Sequence, residues 1–527
     1  MPEKTIFING QFHTFDRNTH GAQALAVEDG IIIDAGANTH IRPLGRRGYK
    51  VIDLKKRTVV PGIIDSHIHV LSLGIGFRRI NLDGVDSLIS VKKILRETAA
   101  TLRTGEWLRG RGWNKNLWGE DFPDKSILDE ITSNPVALDS KDGHLLWVNS
   151  AALKYVGIGA TTSDPPGGII EKDARGEPTG ILKENAVDLV LDRIPQMAYA
   201  DKLDAVGRAQ EHLLGLGIIG AGDCNEDRDL FTIYHELDRK RELKLRIFKM
   251  VPKAALTRAI DFKFHTGFGT EHFRVGCLKL FADGALGSQT ALMFEPYEKS
   301  KGNFGIETLA PAEIDELVAR AVRAGISVAM HAIGDKANFQ ALKGIGKYAR
   351  QFRDKGLRPR IEHAQVLRKS DIPLFARYDI IASAQPIHAT SDRDTADRYW
   401  GKRARYAYPF KSFINSGACL AFGSDAPIET ADPIAGIYAA VTRKRQKEDR
   451  PAWYPEEKLT TRQAVQAYSK GASRACCYDD ITGSISIGKR ADFAALSEDI
   501  FSMRPDAIKD ARNQLTVVDG KPVFGEI

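Results

Sequence analysis

Thr58-Val-Val-Pro-Gly-Ile-Ile-Asp-Ser-His-Ile-His69 is the stretch on which the reading of this chain turns. An apolar run ends in two histidines one residue apart. In a strand, side chains alternate faces, so His67 and His69 point the same way. Their Cα atoms then sit about 6.5–7 Å apart, within reach of one shared metal ion. Pro61 and Gly62 break the run, so the strand proper is short and starts just after them. The plain alternative is two surface histidines at a strand end, because H-x-H is a common pattern. The rest of the chain decides between the two.

Working outward, seven more buried-type strands follow Val59–Asp65: 218–223, 245–250, 275–281, 327–330, 360–363, 380–384 and 419–423. From the second onward helical stretches separate most of them, such as 311–324 and 336–353, and Pro311 suits a first helical position. Eight strands alternating with helices predict an α/β fold, a (β/α)8 TIM barrel, better than an open sheet. About 150 residues separate the first strand from the second. That gap predicts an inserted α+β domain, with a helix over 87–102, a strand at 136–138 and a Pro/Gly-rich loop at 164–168.

The flanks read differently. Strands at 5–8, 24–28, 31–35 and 51–53, with Asn-Gly and Asp-Gly turns, form a unit too short to close its own core. Strands at 483–487, 491–496, 515–518 and 522–524 have the same character. The two half-sheets predict one composite β-sandwich. The expected domains are residues 1–58 with 482–527 as the sandwich, 59–75 with 201–481 as the metal-binding barrel, and 76–200 as the insert, a substrate or lid domain.

Composition excludes several classes. Of 527 residues, 43% are hydrophobic and 27% charged, with a net charge of +7, ordinary for a globular chain. The densest basic run, 443–450, carries its own acids and reads as a solvated face, not a nucleic-acid surface. Five cysteines, Cys224, Cys277, Cys419, Cys476 and Cys477, form no C-x-x-C pair, which argues for a reduced compartment. No signal pattern and no long apolar run is present, so a cytoplasmic protein without membrane partners is expected. The expected partner is a small-molecule substrate, and a homodimer is the assembly to test for.

Active sites of such barrels lie at the C-terminal ends of the strands. Strand one ends in His67 and His69. Strand four carries Lys279 and Asp283, strand five His331, strand six His363 and strand eight Asp425. Each has a dull explanation alone; all of them at matching ends of separate strands do not share one. Imidazoles and carboxylates suit zinc, with manganese, iron or nickel able to use the same ligands. One ion is expected under His67, His69 and Asp425, and a second under His331 and His363. Lys279 would lie between them. A buried ammonium must be deprotonated, paired or modified, so Lys279 is either carbamylated and bridging or paired with Asp283. A cation there ionises water near neutral pH to give the attacking hydroxide, with Asp425 as general base and then acid. In the insert, Trp107, Trp113, Trp118 and Trp147 lie near Asp142-Gly143-His144. These rings suit a lid over substrate or, equally, the insert's own core.

Pro-Gly-Ile-Ile-Asp-Ser-His-Ile-His, His-Ala-Ile-Gly-Asp, Arg-Ile-Glu-His-Ala-Gln and Gly-Ser-Asp-Ala-Pro resemble the amidohydrolase superfamily of metal-dependent hydrolases. Leu-Phe-Ala-Asp-Gly-Ala-Leu-Gly-Ser, Asp-Gly-His-Leu-Leu-Trp-Val-Asn-Ser and Pro-Thr-Gly-Ile-Leu-Lys-Glu resemble the branch with N-substituted formamide deformylases. The resemblance runs from about residue 4 to 527. It implies a divalent metal, one ion or two, held by His67, His69, His331 and His363. Lys279 matches a bridging carbamylated lysine, Asp425 the general base, and Asp65 a support for the metal histidines. His144, Gln385 and His388 match positions expected to face substrate. Asp425 and His363 are then the expected catalytic residues, and His144, Trp113, Asp283, Gln385 and His388 the expected substrate contacts. The expected activity is hydrolysis of a non-peptide C–N bond, of amide or N-formyl type. Deamination of a heterocycle and ester or lactone hydrolysis are alternatives on the same scaffold. A non-catalytic scaffold protein is a further one, though such relatives lose ligands and all six are kept here.

Overall fold

The computed structural model describes residues 3–526 except 78, 119–121, 142, 144, 167, 196, 301 and 447. The chain divides into two compact units, residues 1–72 with 206–527, and residues 73–205.

The larger unit is built on an eight-stranded, all-parallel sheet. Its strands are β1 (Ile63–Ile68), β2 (Ile218–Asp223), β3 (Arg246–Pro252), β4 (Phe273–Phe281), β5 (Val328–Ala332), β6 (Arg360–His363), β7 (Ile381–Ala384) and β8 (Leu420–Phe422). Each pairs with the next in sequence order. The loop after β8 joins β1: the Asp425 N–H donates to the His67 carbonyl (2.8 Å) and the His69 N–H to the Ala426 carbonyl (2.9 Å). These bonds close the ring of a (β/α)8 barrel. Gly423 makes the closure possible, because a Cβ there would lie 2.5 Å from the His67 nitrogen and 2.8 Å from Asp65 Oδ1. Pro311–Arg323 between β4 and β5 shows why the crossovers are helical: Pro311 opens the helix, and Ile314, Leu317, Val318, Ala321 and Val322 are its buried stripe.

Two further sheets make the sandwich in this unit. One has Ile31–Gly36, Ala24–Glu28, Lys4–Ile8 and Lys50–Asp53; the other has Gln11–Phe12, Thr58–Pro61, Phe493–Leu496, Asn513–Val518 and Lys521–Phe524. Their shared core joins Phe7, Phe12, Leu25 and Val27 to Phe493, Leu515 and Val517. The expected strand at 59–65 is thus two strands. Gly62 splits it, and Thr58–Pro61 pairs antiparallel with Phe493–Leu496. The expected strand at 483–487 is absent; that stretch is bent, irregular chain entering a turn at Ile487. The sandwich is pinned to the barrel by Arg246 on β3, which donates to both oxygens of Asp492 (2.7 and 2.9 Å) and to Asp519 (2.8 Å). No helix among the described residues is long and apolar enough to cross a membrane, and the five cysteines are free.

The smaller unit holds a six-stranded sheet, in the order Gly168–Lys172, Pro178–Glu184, Leu145–Val148, Val136–Ser140, Leu108–Trp113 and Ile80–Asn81. Helix Leu88–Ala99 starts at Ser87, whose hydroxyl accepts from the Ser90 N–H. The expected substrate contact Trp113 is corrected here. It is 1% exposed in this unit's own core, its indole N–H donates to the Leu138 carbonyl (2.8 Å), and its ring lies 6.1 Å from those of Trp118 and Trp147. An indole whose face and N–H are both used inside the core has nothing left for a ligand. His144 lies outside the described residues.

Candidate metal centre

The barrel strands carry the expected side chains to one rim of the larger unit. The ligand atoms of His67, His69 and Asp425 lie within 4.8 Å of one another, and so do those of His363, His388 and Asp425. The rings of His67 and His363 are 4.8 Å apart, and those of His331 and His363 are 4.5 Å apart. Asp425 stands between the two groups. Its Oδ1 faces His67 Nε2 (3.4 Å) and His69 Nε2 (3.2 Å), and its Oδ2 faces His388 Nε2 (3.3 Å). Burial would raise its pKa, but hydrogen bonds with His388, His67 and His69 hold the carboxyl well below the usual range, so it is ionised.

The loop ends are bent to achieve this. His363 (φ 68°), Ala364 (φ 43°) and Asp425 (φ 60°) all have left-handed backbone without being glycine. Such strain persists where the surroundings over-determine it, commonly at functional sites.

The unused ring nitrogens are what a cation requires. His67 Nδ1 lies 2.5 Å from Glu362 Oε2. Glu362 is fully buried; burial would raise its pKa, but Arg360 and His67 hold it well below normal. A carboxylate only accepts, so Nδ1 carries a proton, and Nε2, facing Asp425 Oδ1, is the nitrogen left for a cation to take. His331 Nε2 bonds the Gly284 carbonyl (3.0 Å), so it is the donor and Nδ1 is free. His363 Nδ1 is buried with no partner among the described residues. Burial and the Lys279 charge push His331 down to about 3, keeping it neutral. Neutral His331 and His363, with the Nε2 atoms of His67 and His69 aimed at an ionised carboxylate, fit a divalent cation of the zinc type.

Three expectations change. The second group gains His388: ligand atoms of His363, His388 and Asp425 meet, while His331, its ring 4.5 Å from that of His363, turns Nε2 to the Gly284 carbonyl and leaves Nδ1 for a cation. Asp283 is no substrate contact. Its carboxylate is 2% exposed and accepts the N–H groups of Leu292, Ile333 and Gly334 at 2.8–3.0 Å, stitching the loop after β4 to the end of β5. It therefore forms no ion pair with Lys279 either. Lys279 is 2% exposed, with its ammonium 4.7 Å from the Phe281 ring centroid and no hydrogen bond or ion pair among the described residues.

The support for His67 comes from Asp65, as expected, and from a second carboxylate. Asp65 Oδ1 accepts the backbone N–H groups of His67 (3.1 Å) and Ser424 (3.0 Å), so it fixes main chain, not an imidazole. The imidazole is held by Glu362, itself clamped by Arg360 Nε and Nη2. Both were missed. The signal was there: two charges two residues apart in a buried strand face the same side, and the barrel interior is the only side on which they can pair.

A family model described as the amidohydrolase family matches residues 50–524. The chain is 34% identical to the protein LONG AFTER FAR-RED 3 of Arabidopsis thaliana, covering 93% of this chain and 87% of that one. It is 32% identical to YtcJ of Bacillus subtilis, covering 99% of each. It is 26% identical to an N-substituted formamide deformylase of Arthrobacter pascens, over 98% of this chain and 97% of that one. Among solved structures, a metal-dependent hydrolase from Pyrococcus horikoshii superposes with a TM-score of 0.81 at 27% identity, covering 95% of this chain and 99% of that one.

Proposed function

The chain belongs to the amidohydrolase family, and from that premise we propose that it hydrolyses a C–N bond of amide or N-formyl type in a small molecule. The observation that carries this reading is the convergence of His67, His69 and Asp425 ligand atoms within 4.8 Å, each histidine on a strand end of the barrel. The similarity to a formamide deformylase supports the choice of bond.

The residues that would hold the metal are His67, His69, His331, His363 and Asp425, and the chemistry supplied there is Lewis acidity toward water and toward a carbonyl oxygen. Asp425 does the proton work. Ionised and facing the ligand set through Oδ1, it takes a proton from the attacking water as the C–O bond forms. It returns the proton to the departing nitrogen as the C–N bond breaks, giving an acid and a free amine. His388 on Oδ2 keeps the carboxylate oriented between these two tasks.

Lys279, as a carbamate, would be a further ligand to the metal. A buried ammonium without an acidic partner is costly; loss of one proton from Nζ, then reaction of the amine with CO2 and loss of a second proton, would replace it by an anion. Lys279→Ala is then expected to lower bound metal, with partial recovery on adding acetate or propionate. Unchanged metal stoichiometry removes that ligand.

The deciding experiment is elemental analysis of the purified protein with a screen of N-acyl and N-formyl amines for amine release. Stoichiometric divalent metal, zinc first, and amine release abolished by a chelator and restored by metal are expected. A protein that releases no amine across the panel, or does so unaffected by chelation, overturns the reading.

A further inference from the structure

Gln385 is 1% exposed, and both polar atoms of its side chain, Oε1 and Nε2, are buried with no hydrogen-bond partner among the described residues. A buried carboxamide left without partners costs about 1–3 kcal/mol for each group, so native structures seldom keep one. Its position says where it points. Ser383, two residues earlier on β7, faces the barrel interior, where its hydroxyl accepts from Arg360 Nη2 (2.8 Å) and lies 3.3 Å from Ser66 Oγ. Residues two apart on a strand share a face, so Gln385 faces inward one layer higher, at the rim that carries the histidines. The ladder continues that far, since the Gly423 N–H donates to the Ala384 carbonyl (3.1 Å). The β7–β8 register then sets Gln385 beside Gly423, whose missing Cβ would lie 3.0 Å from His67 Cβ. His388, three residues on, is already engaged with Asp425 (3.3 Å).

We propose that Gln385 is the specificity-determining residue that reads the substrate's N–H: Oε1 accepts the amide hydrogen of the bond to be cut, and Nε2 donates to an oxygen of the same substrate. The substrate class is therefore an amide that keeps a hydrogen on nitrogen. Tertiary amides and esters offer no such donor, and would leave Oε1 buried and unpaired. This rests on the C–N reading of the site.

The test uses acetanilide, N-methylacetanilide and phenyl acetate as matched probes on the metal-loaded protein. Binding is measured by calorimetry, and turnover by aniline, N-methylaniline or phenol release. Wild type is expected to favour acetanilide over N-methylacetanilide by about tenfold or more in affinity, the size of one hydrogen bond lost to a buried acceptor. Gln385→Met, similar in volume but without the amide, is expected to bring that ratio to within about threefold of one at unchanged metal stoichiometry. Gln385→Glu, which keeps an acceptor, is expected to retain a preference for acetanilide. A wild-type ratio near one, or a Gln385→Met protein that discriminates as well as wild type, overturns the proposal. Failure of the C–N reading looks different: phenyl acetate is hydrolysed and neither anilide is, whatever their relative affinities.

Discussion

Asp425→Asn is expected to cut turnover by about 10²–10⁴-fold, the range for loss of a positioned general base and acid, while the protein keeps its metal. The replacement preserves shape, so Oδ1 can still face His67 and His69, 3.4 and 3.2 Å away in the native structure. What goes is the ability to accept a proton, and with it the hand-over to the leaving nitrogen. The loss should fall on kcat and kcat/KM together, because the group works in the transition state and not in holding substrate. Metal analysis and steady-state kinetics on the same preparation separate the outcomes. Near-native turnover would strip Asp425 of its proton-transfer role. Loss of metal along with activity would make it chiefly a ligand.

Glu362→Gln should have the second largest effect, on metal affinity and on folding at once. The native carboxylate accepts from His67 Nδ1 and from two nitrogens of Arg360, all of them buried. Its amide substitute carries no charge, so Arg360 keeps a buried cation without its counter-ion. Breaking a buried pair in this way costs about 3–5 kcal/mol. The amide can also turn its N–H groups toward His67, which favours the tautomer with the proton on Nε2, the nitrogen a metal needs bare. Metal affinity is expected to fall about 10–100-fold, as for other carboxylates behind ligand histidines. Thermal melting of the apo and metal-loaded variant distinguishes the contributions. A lower melting temperature with undiminished metal affinity would reduce Glu362 to a counter-ion for Arg360.

The barrel was legible because its strands are short apolar runs ending in polar side chains, and strand ends are where this architecture puts chemistry. His67, His69, His363 and Asp425 could be picked from that rule, and the ligand atoms of His67, His69 and Asp425, and of His363 and Asp425 with His388, do meet. What failed were readings that need partners to be known. Asp283 looked like a pocket residue because it follows β4, yet its oxygens are consumed by three backbone N–H groups. Trp113 offered a large ring near polar residues, and only packing shows that the ring fills a core. Residues 336–353 have helical character throughout, but the helix ends at Gly346 and a second begins at Ala349. Glu362 was overlooked for the opposite reason: sitting beside a histidine, it drew less notice than its neighbour.

The pairing of Thr58–Pro61 with Phe493–Leu496 has a consequence for biosynthesis. Thr58–Pro61 leads directly into the first barrel strand, but its partner leaves the ribosome more than four hundred residues later. Throughout that interval an apolar strand edge stays open beside a half-made barrel, the kind of surface that invites mispairing and chaperone capture. Nascent chains stalled short of Phe493 should therefore depend on chaperones far more than those released beyond Val518.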